Sequence, residues 1–391
     1  MKFDFDKVVD RHGTKCLKYD FAKERGRSDD MLPLWVADMD FQTAPGIQKS
    51  LSDAVAHGIY GYSEGKDDYF QAAAGWYEKH FGWKVEKEWL IKTPGVVFAL
   101  AMAVKAYTKE GDAVLLQQPV YYPFSEVITD NHRRLINSPL QQIDGHYEIN
   151  FEEFEQKIVE ENVKLFLMCS PHNPVGRVWK EWELRKIGDI CLKHNVLVVS
   201  DEIHSDFTYG ENIHHVFASL DEKYAAITTT CTAPSKTFNI AGLQISNIWI
   251  SNPELRSRFR AEVTAAGYSQ VNLMGLVACQ AAYETGEEWL KELKIYLEGN
   301  LDYVRTFLKE NLPEIKLTEP EGTYLLWLDF KSLGMKEEQL KDLVENKAKL
   351  WLDSGAMFGP DGEGFERINI ACPREILKQA LTQLAESVHD R

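Results

Sequence analysis

Along the chain, short apolar runs alternate with stretches in which apolar residues recur at helical spacing. The runs 113–116, 165–169, 196–200 and 227–231 are four or five residues long and apolar or β-branched. Each predicts a strand buried on both faces, the form found in parallel sheets. Helical patterns lie around them, at about 67–81 after the turn signal Tyr60-Gly61-Tyr62-Ser63, at 98–107 and at 182–194. Strand and helix in alternation predict a doubly wound α/β domain. After a long charged helix over 287–311, the pattern changes to short strands and helices: 323–330, 336–347, 367–371 and a final helix. This predicts a smaller α+β domain. The expected division is a large domain over 50–285 and a small one made of 1–49 and 286–391. No internal repeat or low-complexity tract interrupts it.

In an open parallel sheet, ligands bind beyond the carboxyl ends of the strands. Three such ends carry chemistry. After 165–169 comes Ser170-Pro171-His172-Asn173-Pro174-Val175-Gly176; after 196–200 comes Asp201-Glu202-Ile203-His204; after 227–231 comes Thr232-Ala233-Pro234-Ser235-Lys236-Thr237-Phe238-Asn239. Taken singly, each has a plainer reading: a turn, a helix cap, a surface lysine. Together they bring an amide, a carboxylate and an amine to one crevice. A buried lysine has a lowered pKa and becomes a nucleophile. A pyridine aldehyde needs this set: an amine to bond the aldehyde, a carboxylate to keep the ring nitrogen protonated, and an amide for the ring hydroxyl.

Composition narrows the partners. At 391 residues and 44% hydrophobic, the chain can bury a large core. The net charge of −16 argues against nucleic acid and anionic membrane as partners. No run approaches the length of a membrane span, and residues 1–7 lack the apolar region of a secretory signal. Cys16, Cys169, Cys191, Cys231, Cys279 and Cys372 are scattered, as expected of reduced thiols in a cytoplasmic protein and not of a metal site. Neither a G-x-G-x-x-G after a strand nor a G-x-x-x-x-G-K-[ST] is present, which counts against a nucleotide-binding protein.

The ordered set N-P-x-G, D-E-x-H, S-K-T-F-N and A-G-L resembles the fold-type I pyridoxal-phosphate (PLP) enzymes of the aminotransferase class I/II superfamily. More narrowly, it resembles the MalY/PatB cystathionine β-lyase group. The resemblance runs from Phe3-Asp4-Phe5 through Val9-Asp10-Arg11-His12-Gly13-Thr14 to Cys372-Pro373-Arg374. It implies an aspartate aminotransferase-like α/β fold and a set of roles. Lys236 would be the Schiff-base lysine and the base at Cα, Asp201 the partner of the pyridine nitrogen, and Asn173 a contact of the ring hydroxyl. His204 stands where many relatives have a Tyr with that last role. Tyr121, in Gln118-Pro119-Val120-Tyr121-Tyr122-Pro123, would stack on the ring. Gly95, Val96 and Val97 would cradle the phosphate from a helix start, with Ser235 adding a hydroxyl. Tyr62 would reach the phosphate of a partner subunit, which makes a homodimer with shared sites. Arg367 would bind the substrate α-carboxylate through a planar guanidinium, with Trp35, Ala37 and Tyr324 on the substrate side.

One departure bears on the reaction. Most aminotransferases have Arg eight residues after the lysine; here Gln244 stands there. The expected activity is therefore β-elimination from L-cystathionine or a related cysteine S-conjugate. An aminotransferase on a keto acid is the alternative, and a PLP-binding regulatory protein a lower one.

Overall fold

The computed structural model describes residues 2–390. Seven strands form the central sheet: β1 (Leu90–Thr93), β2 (Ala113–Leu116), β3 (Arg134–Asn137), β4 (Val163–Cys169), β5 (Leu197–Asp201), β6 (Thr228–Thr232) and β7 (Ser246–Trp249). Their spatial order is β1-β7-β6-β5-β4-β2-β3. β7 runs against both neighbours, and the other pairs are parallel.

Alternation along β4 explains how both faces are buried. Leu165 and Leu167 pack with the helices Val96–Tyr107 and Pro253–Ala265. Phe166 and Met168 point the other way, onto the helices Phe151–Glu160 and Glu181–Lys193. β6 is buried at every position although four of its five residues are threonines. β-branching suits a strand, and three of the four hydroxyls have partners: Thr228 donates to Tyr224 O at 2.6 Å, Thr232 donates to Asn247 O at 2.8 Å, and Thr229 bonds the Tyr107 hydroxyl at 2.7 Å, while Thr230 has none among the described residues.

A second, antiparallel sheet has the order β8-β9-β11-β10, where β8 is Lys316–Leu317, β9 Leu325–Asp329, β10 Asp353–Ser354 and β11 Phe365–Asn369. Leu326, Leu328 and Ile368 pack against the helices Glu287–Asn311 and Arg374–His389. The N-terminal segment joins this part of the chain: Leu32–Pro33 pairs in parallel with Leu350–Trp351. A buried ion network then pins the following residues. Lys18, with no exposed surface, reaches Asp40 at 2.7 Å, and Arg11 reaches Asp38 at 2.6 Å and Asp40 at 2.7 Å. Removing Asp40 would leave the buried Lys18 with only Asp38, at 3.8 Å, at a cost of about 3–5 kcal/mol.

Register places the site. Cys169 stands level with Asp201, and Asp201 with Cys231. β4, β5 and β6 therefore end on one line, and the loops after them open at the same edge. Among the described residues no helix is long and apolar enough to cross a membrane.

Candidate active site

A cavity of about 350 Å³ lies at that edge, within the usual range for small-molecule sites. Its wall includes Lys236, Asp201, Asn173, His204, Tyr121, Ser235, Ala37 and the turn Gly95, Val96, Val97. Ten of the residues expected from the sequence are thus brought together.

Lys236 follows β6 and its Nζ donates to the Ala37 carbonyl at 2.7 Å. Burial lowers its pKa to about 8, Arg367 adds to the effect, and Asp38 and Asp201 oppose it. Asp201 ends β5, is 7% exposed, and accepts from Ile203 N–H at 3.1 Å. Burial raises its pKa to about 7. Amine and carboxyl are thus poised close to neutrality, as acid-base chemistry requires. His204 is buried and neutral, its pKa pushed down to about 3 by burial and then by Lys236 and Arg367. Its ring stands edge-on to Tyr324 at 5.8 Å. Tyr121 N–H donates to Asn173 O at 3.1 Å, which fixes one loop against the other.

Arg367 on β11 is 2% exposed. Its Nη1 donates to Asn173 Oδ1 at 3.1 Å and its Nη2 to Trp35 O at 2.8 Å, and the side chain is paired with Asp353. Tyr324 donates to the Ala37 carbonyl at 3.1 Å, so it shares an acceptor with Lys236.

Arg367 and Tyr324 are outside the cavity wall and touch it through Asn173 and Ala37, and two further expected residues stand elsewhere. The Trp35 ring stacks on Trp351 at 4.5 Å, outside the cavity; it is the Trp35 carbonyl that touches Arg367. Tyr62 is 93% exposed and does not reach the cavity of its own chain.

The residues present fit PLP by three features. The helix Val96–Tyr107 starts at the cavity wall without a side-chain cap, and such free N–H groups suit a phosphate. His204 Nδ1 and Arg367 Nε are buried without a hydrogen-bond partner in the protein, an arrangement explained by a ligand. Lys236 and Asp201 supply the amine and carboxylate that the group takes up.

Several positions were not singled out from the sequence. Asp206 accepts from Thr237, beside the lysine, at 2.6 Å and from Trp76 Nε1 at 3.0 Å. Glu202, beside Asp201, accepts from Ser200 and pairs with His214, both at 2.8 Å. Asn239 and Asn369 bind the backbone of residues 36–41. Asp206 and Glu202 were visible as acids near a strand end; Asn239 closes the S-K-T-F-N motif, but no role was expected for it, and Asn369 had no local signal.

The profile of the aminotransferase class I and II family matches residues 30–384. The cystathionine β-lyase PatB of Bacillus subtilis is 43% identical over 97% of this chain and 98% of its own length. The protein MalY of Escherichia coli is 34% identical over 99% of each chain. The structure of cystalysin from Treponema denticola, which contains PLP, superposes with a TM-score of 0.96 at 39% identity, covering all of both chains. Fold and sequence agree from end to end, and the chain belongs to the aminotransferase class I and II family.

Proposed function

We propose that this chain is a PLP-dependent carbon–sulfur β-lyase. It takes L-cystathionine or a related cysteine S-conjugate and, with water, yields the thiol, pyruvate and ammonia. The observation that carries the reading is the level ending of β4, β5 and β6, which sets Asn173, Asp201 and Lys236 around one cavity. Gln244, in the cavity wall where most aminotransferases have Arg, and the names of the relatives support elimination over transfer.

Bound PLP supplies an aldehyde that takes up an amine and a ring that withdraws electrons from Cα. In this reading Lys236 would carry the group and, once free, its Nζ takes the Cα proton. The lowered pKa suits that task, because a neutral amine is available near neutral pH. Asp201 would keep a proton on the ring nitrogen, and Asn173 and His204 would meet the ring hydroxyl. Tyr121 would cover one face. The N–H groups of Gly95, Val96 and Val97, with Ser235, would hold the phosphate. Arg367 would orient the substrate by its α-carboxylate, with Ala37, Trp35 and Tyr324 beside it.

The proposal extends to assembly. Val55, Ile59, Tyr60 and Tyr62 are 56%, 67%, 60% and 93% exposed, an apolar patch of the kind that meets another chain. A second copy there would bring Tyr62 to its partner's phosphate. A large unit over 50–285, a small unit of 1–49 with 286–391, and residence in the cytoplasm belong to the same reading.

The test is pyruvate release from L-cystathionine by the PLP-loaded protein with no keto acid added. Pyruvate with equal free thiol is the expected result. No pyruvate, with amino-group transfer to a keto acid, would establish an aminotransferase instead.

A further inference from the structure

Residues 34–43 cross the site as a strap gripped from two sides. The lysine loop grips it from one. Lys236 Nζ donates to Ala37 O at 2.7 Å. Three residues on, Asn239 uses its whole amide: Oδ1 accepts from Met39 N–H at 2.9 Å, and Nδ2 donates to Met39 O at 2.9 Å and Phe41 O at 2.8 Å. The Thr43 hydroxyl adds a bond to Phe238 O at 2.6 Å. Strand β11 grips from the other side. Asn369 Nδ2 donates to Val36 O at 2.7 Å and Asp38 O at 2.6 Å, and Arg367 Nη2 donates to Trp35 O at 2.8 Å.

The strap also has open space on each side. The inner cavity of about 350 Å³ and an outer one of about 590 Å³ share Ala37, Lys236 and Ala241 in their walls. The strap is held as well by Asp40 N–H on Ala371 O at 2.9 Å, by Arg11 on Met39 O at 3.3 Å and by the buried side chains of Leu34, Met39 and Phe41; the Asn239 bonds tie it to the lysine loop. Asn239 sits in the left-handed region, at φ 55°, which Asn adopts more readily than most residues. It lines the outer cavity and not the inner one, so contact with the ligand does not account for its three bonds.

We infer that Asn239 is a positioning residue for Lys236: by locking Met39 and Phe41 it holds the Ala37 carbonyl where the lysine amine docks. The inference rests on the reading of Lys236 as the cofactor amine. It gives the strap a part in substrate handling. A carboxylate at Arg367 and an amine displacing Lys236 would act on the strap at Trp35 and Ala37, two residues apart. The charged groups that act on Lys236 are Asp38, Arg367 and Asp201. Asn239 is neutral, so replacing it by Gly changes geometry without adding a charge, whereas Asp adds a carboxylate that itself favours the protonated Lys236.

Asn239→Gly keeps the left-handed backbone at no steric cost and removes the side chain. Asn239→Asp keeps the acceptor for Met39 N–H but loses both donors. In the PLP-loaded full chain, hydrogen exchange at Met39 should quicken about tenfold or more in Asn239→Gly, while amides of β2 are unchanged. Covalent capture of PLP by the cofactor-depleted full chain should slow about tenfold in both variants, because the amine is no longer held in place. Turnover should show kcat down about tenfold with KM changed less than about threefold.

Unchanged exchange at Met39 would overturn the inference, and so would equal acceleration in β2. Faster exchange with normal capture would reduce Asn239 to a structural anchor and overturn it as well. Loss of capture in Lys236→Ala together with the expected Asn239 results, but no pyruvate from wild type, would sink the lyase reading and leave this inference standing. Covalent capture by Lys236→Ala would remove the ground for both.

Discussion

Replacing Arg367 by Met should separate the proposed binding of the substrate carboxylate from stability. Arg367 and Asp353 are 2% and 3% exposed and paired. Arg367→Met leaves Asp353 buried without its cation, which costs about 3–5 kcal/mol. Spread over 391 residues, that is about 4–6 °C in Tm at the usual unfolding entropy per residue. Burial already raises the Asp353 pKa, and Arg367 opposes the rise. Without Arg367 it rises further. The native state then binds more protons than the unfolded chain from about pH 3.9 up to the new pKa, so stability falls as pH rises through that window. The deficit against wild type should therefore be smaller at about pH 5 than at about pH 8. Adding Asp353→Asn removes the stranded charge and should return most of the Tm. It should not return the substrate. Losing a hydrogen bond to a charged carboxylate costs about 1.5–3 kcal/mol, or roughly a 10- to 150-fold rise in KM. Thermal unfolding of the single and double variants across pH, beside KM for L-cystathionine, decides the matter. A double variant with wild-type KM would refute the carboxylate role, and a deficit that grows toward low pH would refute the Asp353 account.

Lys236→Met should abolish pyruvate release, and activity near wild type would reject its role. Its stability should also respond to pH. With the Lys236 pKa lowered from 10.5 to about 8, the unfolded chain binds the extra proton between those values. The cofactor-free wild type therefore gains stability relative to the variant as pH rises through that window, which denaturant titration at several pH values would detect. Asp201→Asn should retain bound PLP, followed by absorbance, while turnover falls at least about a hundredfold, the scale for losing one electrostatic partner of a reacting group. For the shared site, mixing Tyr62→Phe with Lys236→Ala chains should yield more activity than either alone, since mixed dimers regain one intact site; mixed dimers no better than the parents would count against sharing.

How much of this was legible depended on where the physical signal lies. The helices 67–81 and 287–311 match Asp67–Phe81 and Glu287–Asn311, because apolar spacing and flanking acids are local. β5 and β6 each run one residue later than the apolar pattern, ending on Asp201 and Thr232. Both side chains are buried with partners, Asp201 accepting from Ile203 N–H and Thr232 donating to Asn247 O, yet hydropathy reads them as loop. β1, β3 and β7 were missed. β1 and β3 are the sheet's edges, where Lys92 and Arg134 are tolerated. β7 is interior but begins Ser246-Asn247; Thr93 meets the Ser246 hydroxyl at 2.7 Å and Tyr69 donates to Asn247 at 2.7 Å. Burial with a partner from elsewhere in the chain looks polar in sequence. At 336–347 a helix was expected, and the structure has Glu337–Lys341 followed by a π-helical turn, Asp342–Lys347.

The site divides along the same line. Lys236, Asp201 and Asn173 could be found because each lies at or just past a strand end, and strand ends in parallel sheets are where ligands bind. Asn239 lies in the same loop, three residues from the lysine, yet its partners Met39 and Phe41 are about 200 residues away, and they are backbone atoms common to every residue type. Trp35 shows the converse: it was expected on the substrate side, yet its ring stacks on Trp351 and its carbonyl is the part that meets Arg367. Residues expected to touch a ligand carry chemistry in their side chains and declare themselves by type. Residues that place those side chains act on backbone atoms far away in the chain, and only the fold brings those partners into view. If the strap governs where the Lys236 amine rests, the rate of the enzyme is set partly by residues of the second kind.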